Sequence, residues 1–145
     1  MDRFALPADF RKLVRESGDG ERTLCLQIHD ELPCLVAFGL SRQLDFDAQI
    51  DREEQQAGAA FNRTARTSQL YGFRTVVFDD SGRFVLPSRW LEAAKLTDRL
   101  YFQGAGPDFL IFNPDEVFKL GDEYRHMKIS CEEELEKLAA GKGRK

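Results

Sequence analysis

Two stretches of this chain are written to the same plan. Residues 1–14 read MDRFALPADFRKLV and residues 76–94 read VVFDDSGRFVLPSRWLEAA, so R-F-x-L-P occurs at 3–7 and again at 83–87. In each copy a short apolar segment runs into a proline, which fits the first turn of a helix because the N–H it lacks has no intrahelical partner there. Behind Pro7, Phe10, Leu13 and Val14 fall at helical spacing until Gly18, and behind Pro87 the apolar set is Trp90, Leu91 and Ala94. Each copy then gives two apolar runs separated by a turn: 24–28 and 34–38 around HDELP, and 100–103 and 109–112 around the tighter GAGP. The unit is strand, proline-started helical turn, strand, turn, strand. A chain that contains it twice is expected to be mainly β with short helices, a duplicated α+β protein.

A further strand candidate, FRTVVF at 73–78, precedes the turn DDSG of the second copy, and the first copy has no counterpart before Asp2. The first repeat is therefore expected to lack its first strand, which leaves an exposed edge or a gap filled by another segment. Residues 40–72 are polar, with Leu40, Leu44, Ile50, Ala57, Ala60 and Phe61 thinly spaced, and read as one or two weakly amphipathic linking helices. Ser130 and Glu133 have capping-box spacing, so a C-terminal helix is expected to start there, run through CEEELEKLAA and stop at Gly141, ahead of a basic tail KGRK. The expected organisation is a first repeat at 1–39, a linker at 40–72, a second repeat at 73–117, and a C-terminal helix with tail at 118–145. So short a chain buries only a modest fraction of its surface, and the two repeats are expected to pack as one body.

With 42% hydrophobic residues, twelve Phe and 32% charged residues, the composition is that of a soluble globular protein. No apolar run approaches a membrane span and no signal-peptide core opens the chain, so a cytoplasmic protein without a membrane partner is expected. Three cysteines, at 25, 34 and 131, suggest neither a disulfide framework nor a thiolate metal site. His29 and His126 are far apart and outside any ligand-spaced cluster, and GAGP lacks the Lys and Ser/Thr of a phosphate-binding loop. No catalytic residue, metal, cofactor or small-molecule substrate is expected.

The basic residues are better placed. Arg3 and Arg83 hold the same position in the two copies, and Arg11, Lys12, Arg15, Arg89 and Lys95 follow on the helical segments. Such arginines can face solvent, pair with acids, or donate to phosphates and base edges through their planar fork. Asp79 and Asp80 stand before Ser81-Gly82 as turn residues, with Gly82 taking a conformation denied to a Cβ. The formal charge of −4 weighs against a nucleic-acid partner, but a small basic patch can sit on an acidic protein.

These features together resemble the MraZ family, a duplicated relative of the AbrB and SpoVT type of swapped-hairpin DNA-binding domain. The strongest part is Asp79 to Trp90, where Asp79, Gly82, Arg83 and Pro87 fit the family pattern; LTDRLYFQGAGPDFLIFNPDEV at 96–117 and HDELPCLVAFG also look like family segments. The resemblance implies an AbrB/SpoVT-like double-psi or swapped-hairpin barrel. It further implies a sequence-specific transcriptional regulator, nucleoid-associated, that binds double-stranded DNA upstream of bacterial division and cell-wall genes as a closed homo-oligomeric ring. It assigns DNA contact to Arg83, Arg3, Asp79, Arg11 and Arg89, with Asp80 and Gly82 shaping the turn. Two positions depart from the pattern: Asp2 stands where the family has Gly, and Leu91 where an arginine follows Pro87. The alternative reading is an assembly or interaction module of the same fold with weakened or lost DNA binding.

Overall fold

The computed structural model describes residues 3–143. It is a mixed α+β structure with a two-stranded and a five-stranded antiparallel sheet and six α-helices among the described residues. In chain order the first elements are β1 (Arg3–Ala5), α1 (Ala8–Ser17), β2 (Thr23–Ile28) and β3 (Cys34–Phe38). A helical stretch follows, with 3-10 turns at Leu40–Asp45 and Gly58–Ala60 around α2 (Phe46–Ala57), and then α3 (Arg63–Tyr71). β4 (Arg74–Val77), β5 (Arg83–Val85), α4 (Ser88–Ala93), β6 (Tyr101–Ala105) and β7 (Asp108–Phe112) come next. The chain ends in α5 (Pro114–Val117), a 3-10 turn at Asp122–Tyr124, and α6 (Arg125–Gly143).

The large sheet has the order β4-β2-β3-β7-β6, and the small one pairs β1 with β5. Segments distant in sequence thus meet three times, at Phe4↔Phe84 in the ribbon, at Leu24↔Val76 between β2 and β4, and at Leu35↔Ile111 and Val36↔Leu110 in the centre of the large sheet. Alternation along β3 explains why CLVAF reads as an unbroken apolar run. Leu35 and Ala37 enter a core shared with Phe4, Phe84, α1 and α4, whereas Phe38 packs with α2 and α3, and Cys34 with Phe112 and α6. A strand covered on both faces has no polar side to show in its sequence.

Both prolines sit at the caps of their helices, Pro7 before α1 and Pro87 before α4, and Gly18 terminates α1 as its spacing foretold. Val14 is fully buried and Phe10 half-buried, but Leu13 stays on the rim of the helix, 38% exposed. The 40–72 segment forms two α-helices, capped at α3 by Asn62, whose Oδ1 accepts from the Ala65 N–H at 3.0 Å. Its anchor is Phe46 together with Ile50 and Leu70, while Leu44, an expected apolar contact, is 82% exposed.

The C-terminal helix corrects its expectation. Ser130 lies inside α6, five residues past its start at Arg125, and Gly141 does not stop the helix, which continues to Gly143. Met127, Cys131 and Leu135 form the stripe that packs on Tyr101 and Phe112, so the buried face begins before Ser130 and draws the helix start upstream. Asp2 and residues 144–145 of the basic tail lie outside the described residues. Among those described, no helix is long and apolar enough to cross a membrane.

Candidate nucleic-acid interface

The turn between β4 and β5 is built by one carboxylate. Asp79 Oδ1 accepts the N–H of Ser81 and the N–H of Arg83, both at 2.9 Å, while its backbone carbonyl accepts from Gly82 N–H at 2.9 Å. Its other oxygen, Oδ2, accepts from Arg83 Nε at 2.9 Å. The backbone N–H of Arg83 is the chief cause that holds the Asp79 carboxyl below the usual carboxylate range, with the Arg83 side chain and Ser81 N–H adding to it. Gly82 has φ +81°, and a Cβ there would lie 2.5 Å from Arg11 Cδ and 2.8 Å from the Leu6 carbonyl oxygen, so glycine is demanded both by conformation and by space. Asp80 does not share in this bracing: it points away, 83% exposed at its side chain, and pairs with Arg22.

This turn delivers Arg83 to the ribbon. Register in the antiparallel pair sets Arg3 opposite Val85 and Ala5 opposite Arg83, so these four side chains share the outer face and the buried Phe4 and Phe84 share the inner one. Arg3 and Arg83 are therefore diagonal neighbours, a relation that spaces backbones by about 7–8 Å in such a pair. Asp79 engages Nε of Arg83, and among the described residues neither terminal nitrogen has a hydrogen-bond partner. The pair is exposed on both sides, 57% for Arg83 and 46% for Asp79, so its ion pairing adds little to stability; its effect is to orient the fork. A groove of about 530 Å³ runs beside the ribbon between Arg3, Arg83 and the Val76–Asp79 segment.

Arg11 comes to the same place from α1, with its side chain laid against Gly82. It lines a cleft of about 570 Å³ together with Lys12, Arg15 and Arg22, opposite Asp79 and Asp80. Arg22 escaped the sequence reading because it lies just before β2, outside the R-F-x-L-P segment; its carbonyl accepts the Phe78 N–H, which brings it beside the turn. Arg89 is separated from this group. It is exposed on α4 and lines another cleft, of about 560 Å³, with Arg74, Trp90 and Leu91. The structure thus brings together Arg3, Arg11, Asp79 and Arg83 and leaves Arg89 apart.

Other candidate chemistry is accounted for by the fold. His29 Nδ1 accepts the N–H groups of Glu31 and Leu32, both at 3.0 Å, and so closes the β2–β3 turn. The three cysteines are free and buried, and burial pushes the thiols of Cys25, Cys34 and Cys131 up to about 11, 12 and 11, far from a reactive thiolate. Among the described residues no three His, Cys, Asp or Glu side chains come together to hold a metal ion.

Fold and site define an α+β protein whose two-stranded ribbon carries Arg3 and, held by Asp79 at a glycine turn, Arg83. No family model matches the chain. Curated relatives do: a "Transcriptional regulator MraZ" from Gluconacetobacter diazotrophicus is 32% identical over 120 residues, covering 77% of this chain and 70% of the relative. Proteins of the same name from Xanthobacter autotrophicus and Parvibaculum lavamentivorans are 32% and 31% identical, covering 79% and 77% of this chain and 71% and 68% of the relatives. The chain belongs to the MraZ family.

Proposed function

We propose that this protein is a transcriptional regulator that binds double-stranded DNA sequence-specifically through the outer face of the β1–β5 ribbon, upstream of division and cell-wall genes. The observation that carries the reading is Arg83: its Nε is held by Asp79 while, among the described residues, its terminal nitrogens have no hydrogen-bond partner, on the exposed ribbon face diagonal to Arg3. A fork fixed at one edge presents the other two donors in the geometry that guanine O6 and N7 accept, a contact worth about 1–3 kcal/mol of discrimination. A two-stranded ribbon also has a width that the major groove admits. Arg11, Lys12 and Arg15 flank the ribbon as phosphate contacts, and Asp79 acts by positioning Arg83. The names of the relatives support regulation of transcription as the setting.

The same reading takes the fold as a swapped-hairpin barrel. In support, β4 leads into the second-copy ribbon strand yet pairs with first-copy β2, and each copy contributes one strand to the ribbon. Repeats at 1–39 and 73–117, joined by the 40–72 helices and followed by a C-terminal helix, describe that exchange. The assembled form is a closed homo-oligomeric ring, in which ribbons tethered to one body raise each other's effective concentration on repeated sites.

Titrating the protein against its own upstream chromosomal DNA and against scrambled DNA, at two salt concentrations, tests the proposal. Preference for the native sequence supports it; equal or absent binding moves the reading to an assembly module. Leu91, half-buried where the second copy lacks an arginine, is the observation favouring that second reading.

A further inference from the structure

On the face of the large sheet that α2 and α3 cover, the packing leaves a cavity of about 250 Å³ between the helices and strands β2, β3 and β7. Its floor is apolar, made by the cross-strand partners Val36 and Leu110 with Phe38 beside them. Its wall is polar, and the side chains there fix one another. Arg42 donates from Nε to Asp108 Oδ1 at 2.9 Å and from Nη2 to Gln49 Oε1, and its guanidinium lies over the Phe46 ring, 5.2 Å from the centroid. Gln27, 9% exposed, donates from Nε2 to the Leu70 carbonyl at 2.7 Å. Arg66 is taken up by Glu53 through Nε and Nη2, and its Nη1 donates to Gln69 Oε1.

Each of these groups keeps one atom unused. Asp108 Oδ2, Gln27 Oε1, Arg42 Nη1 and Gln69 Nε2 have no hydrogen-bond partner among the described residues. Among those residues no buried side-chain nitrogen or oxygen that is sealed from solvent lacks a partner, so the first three atoms are open to solvent, and the cavity is the opening that their residues line. Two acceptors and two donors are thus set around one apolar floor. Burial pushes the Asp108 carboxyl above the usual carboxylate range, and Arg42 offsets this only in part. With Arg66 occupied by Glu53 and Asp30 exposed at the rim, Arg42 and Asp108 are the charges an occupant meets inside, and they balance.

We infer that this cavity is a binding site for a free α-amino acid with an aliphatic side chain. The ammonium group donates to Asp108 Oδ2 and Gln27 Oε1, the carboxylate accepts from Arg42 Nη1 and Gln69 Nε2, and the side chain lies on Val36, Phe38 and Leu110. A carboxylate and a guanidinium joined at 2.9 Å call for opposite charges equally close together in the occupant, and an α-amino acid carries both on one carbon. The volume lies below the roughly 300–1,000 Å³ of pockets that take drug-sized ligands, which suits so small a molecule. Bound there, it touches the linker helices and strands of both hairpins at once. This inference is independent of the DNA-binding reading.

The test is calorimetric titration of the full chain with L-valine, L-isoleucine and L-leucine, with isoamylamine and 4-methylpentanoate as controls that keep the leucine side chain and only one of its two charged groups. Saturable binding of at least one of the amino acids is expected, with each control at least roughly tenfold weaker than leucine, since it leaves one end of the Arg42–Asp108 pair unmatched. Bound ligand should also raise the melting temperature and slow hydrogen exchange in α3 and at the start of β7. Asp108→Asn is expected to weaken binding at least roughly tenfold, but it also removes the partner of Arg42. Gln69→Glu, at an exposed position of α3, is the second variant: it sets a negative charge against the ligand carboxylate and should weaken binding by a similar factor while the ligand-free melting temperature stays as in wild type. Absence of saturable binding of all three amino acids, a control that binds as well as leucine, unchanged affinity in Gln69→Glu, or slowed exchange confined to other segments overturns the inference.

Discussion

At the scale of single residues, Asp79 joins structure to function, because one carboxylate closes the turn and orients the arginine beside it. Replacing Arg83 by Ala is expected to leave the unfolding transition within about 0.5 kcal/mol of wild type, as for an exposed surface residue, and to abolish preference for native DNA. Arg83→Lys should not restore that preference, since a point charge cannot form the bidentate contact; anisotropy titrations beside urea melts check both variants. Gly82→Ala should cost more stability than either, about 1–3 kcal/mol for a left-handed backbone position, on top of a Cβ placed against the Leu6 carbonyl. The lowered pKa of Asp79 gives a pH prediction with a definite sign. Its carboxylate stabilises the turn fully above the unfolded carboxyl value of about 3.9, and the contribution is lost as pH falls through the lower folded value. Between wild type and Asp79→Asn, the difference in melting temperature should therefore be flat from neutral pH down to about pH 5 and shrink only in stronger acid.

At the scale of elements, local chemistry and long-range packing divide what the sequence can disclose. The hairpin strands were legible because β2, β3, β6 and β7 are apolar runs bounded by turn residues, and α1 because Pro7 and Gly18 mark its ends. The turn at 79–82 was legible for the same reason, and with it the place of Arg83. The α6 start was not, because Ser130-x-x-Glu133 satisfies the spacing of a cap while Met127 and Cys131 bind the preceding turn to the sheet. Nor could spacing disclose that β4 crosses to β2, that Arg3 faces outward diagonal to Arg83, or that Arg89 stands apart; these depend on pairings between residues far apart in the chain. Phe46 was passed over in a polar stretch, yet it is almost wholly buried, with Phe38 and Tyr71 edge-on to it at 5.6 and 5.2 Å. Phe46→Ala should destabilise the protein by about 3–5 kcal/mol in denaturant titration, because the linker helices then lose the side chain that holds them to the sheet. Ser130→Ala, by contrast, should lack the roughly 1 kcal/mol penalty of a lost N-cap, since Ser130 is a helix-interior residue.

At the scale of the whole molecule, the question is how an acidic chain would hold DNA. The formal charge is −4, and Arg42, Arg63 and Arg66 are tied to Asp108, Asp51, Glu54 and Glu53 on the side of the linker helices, whereas Arg3, Arg11, Lys12 and Arg15 at the ribbon and α1 have no salt bridge among the described residues. One such patch reaches few phosphates, and each neutralised phosphate contributes only about 0.9 to the log–log salt slope. Binding by isolated chains would consequently be weak and little dependent on salt, whereas several ribbons on one rigid body engage successive sites together and their slopes add. The surface has the means for assembly: Leu44 and Val77 are 82% and 72% exposed, and Leu138 and Ile129 are about half exposed on α6. Self-association into a closed ring is therefore expected, and sedimentation equilibrium should return a mass that is a fixed multiple of 16.6 kDa over a range of concentrations. A monomeric mass throughout would reject assembly, and continuous growth in mass with concentration would reject closure. In the assembled protein, Arg83→Ala should leave the mass unchanged while lowering both affinity for native DNA and the salt slope, because it removes a contact from every ribbon without touching the contacts between subunits.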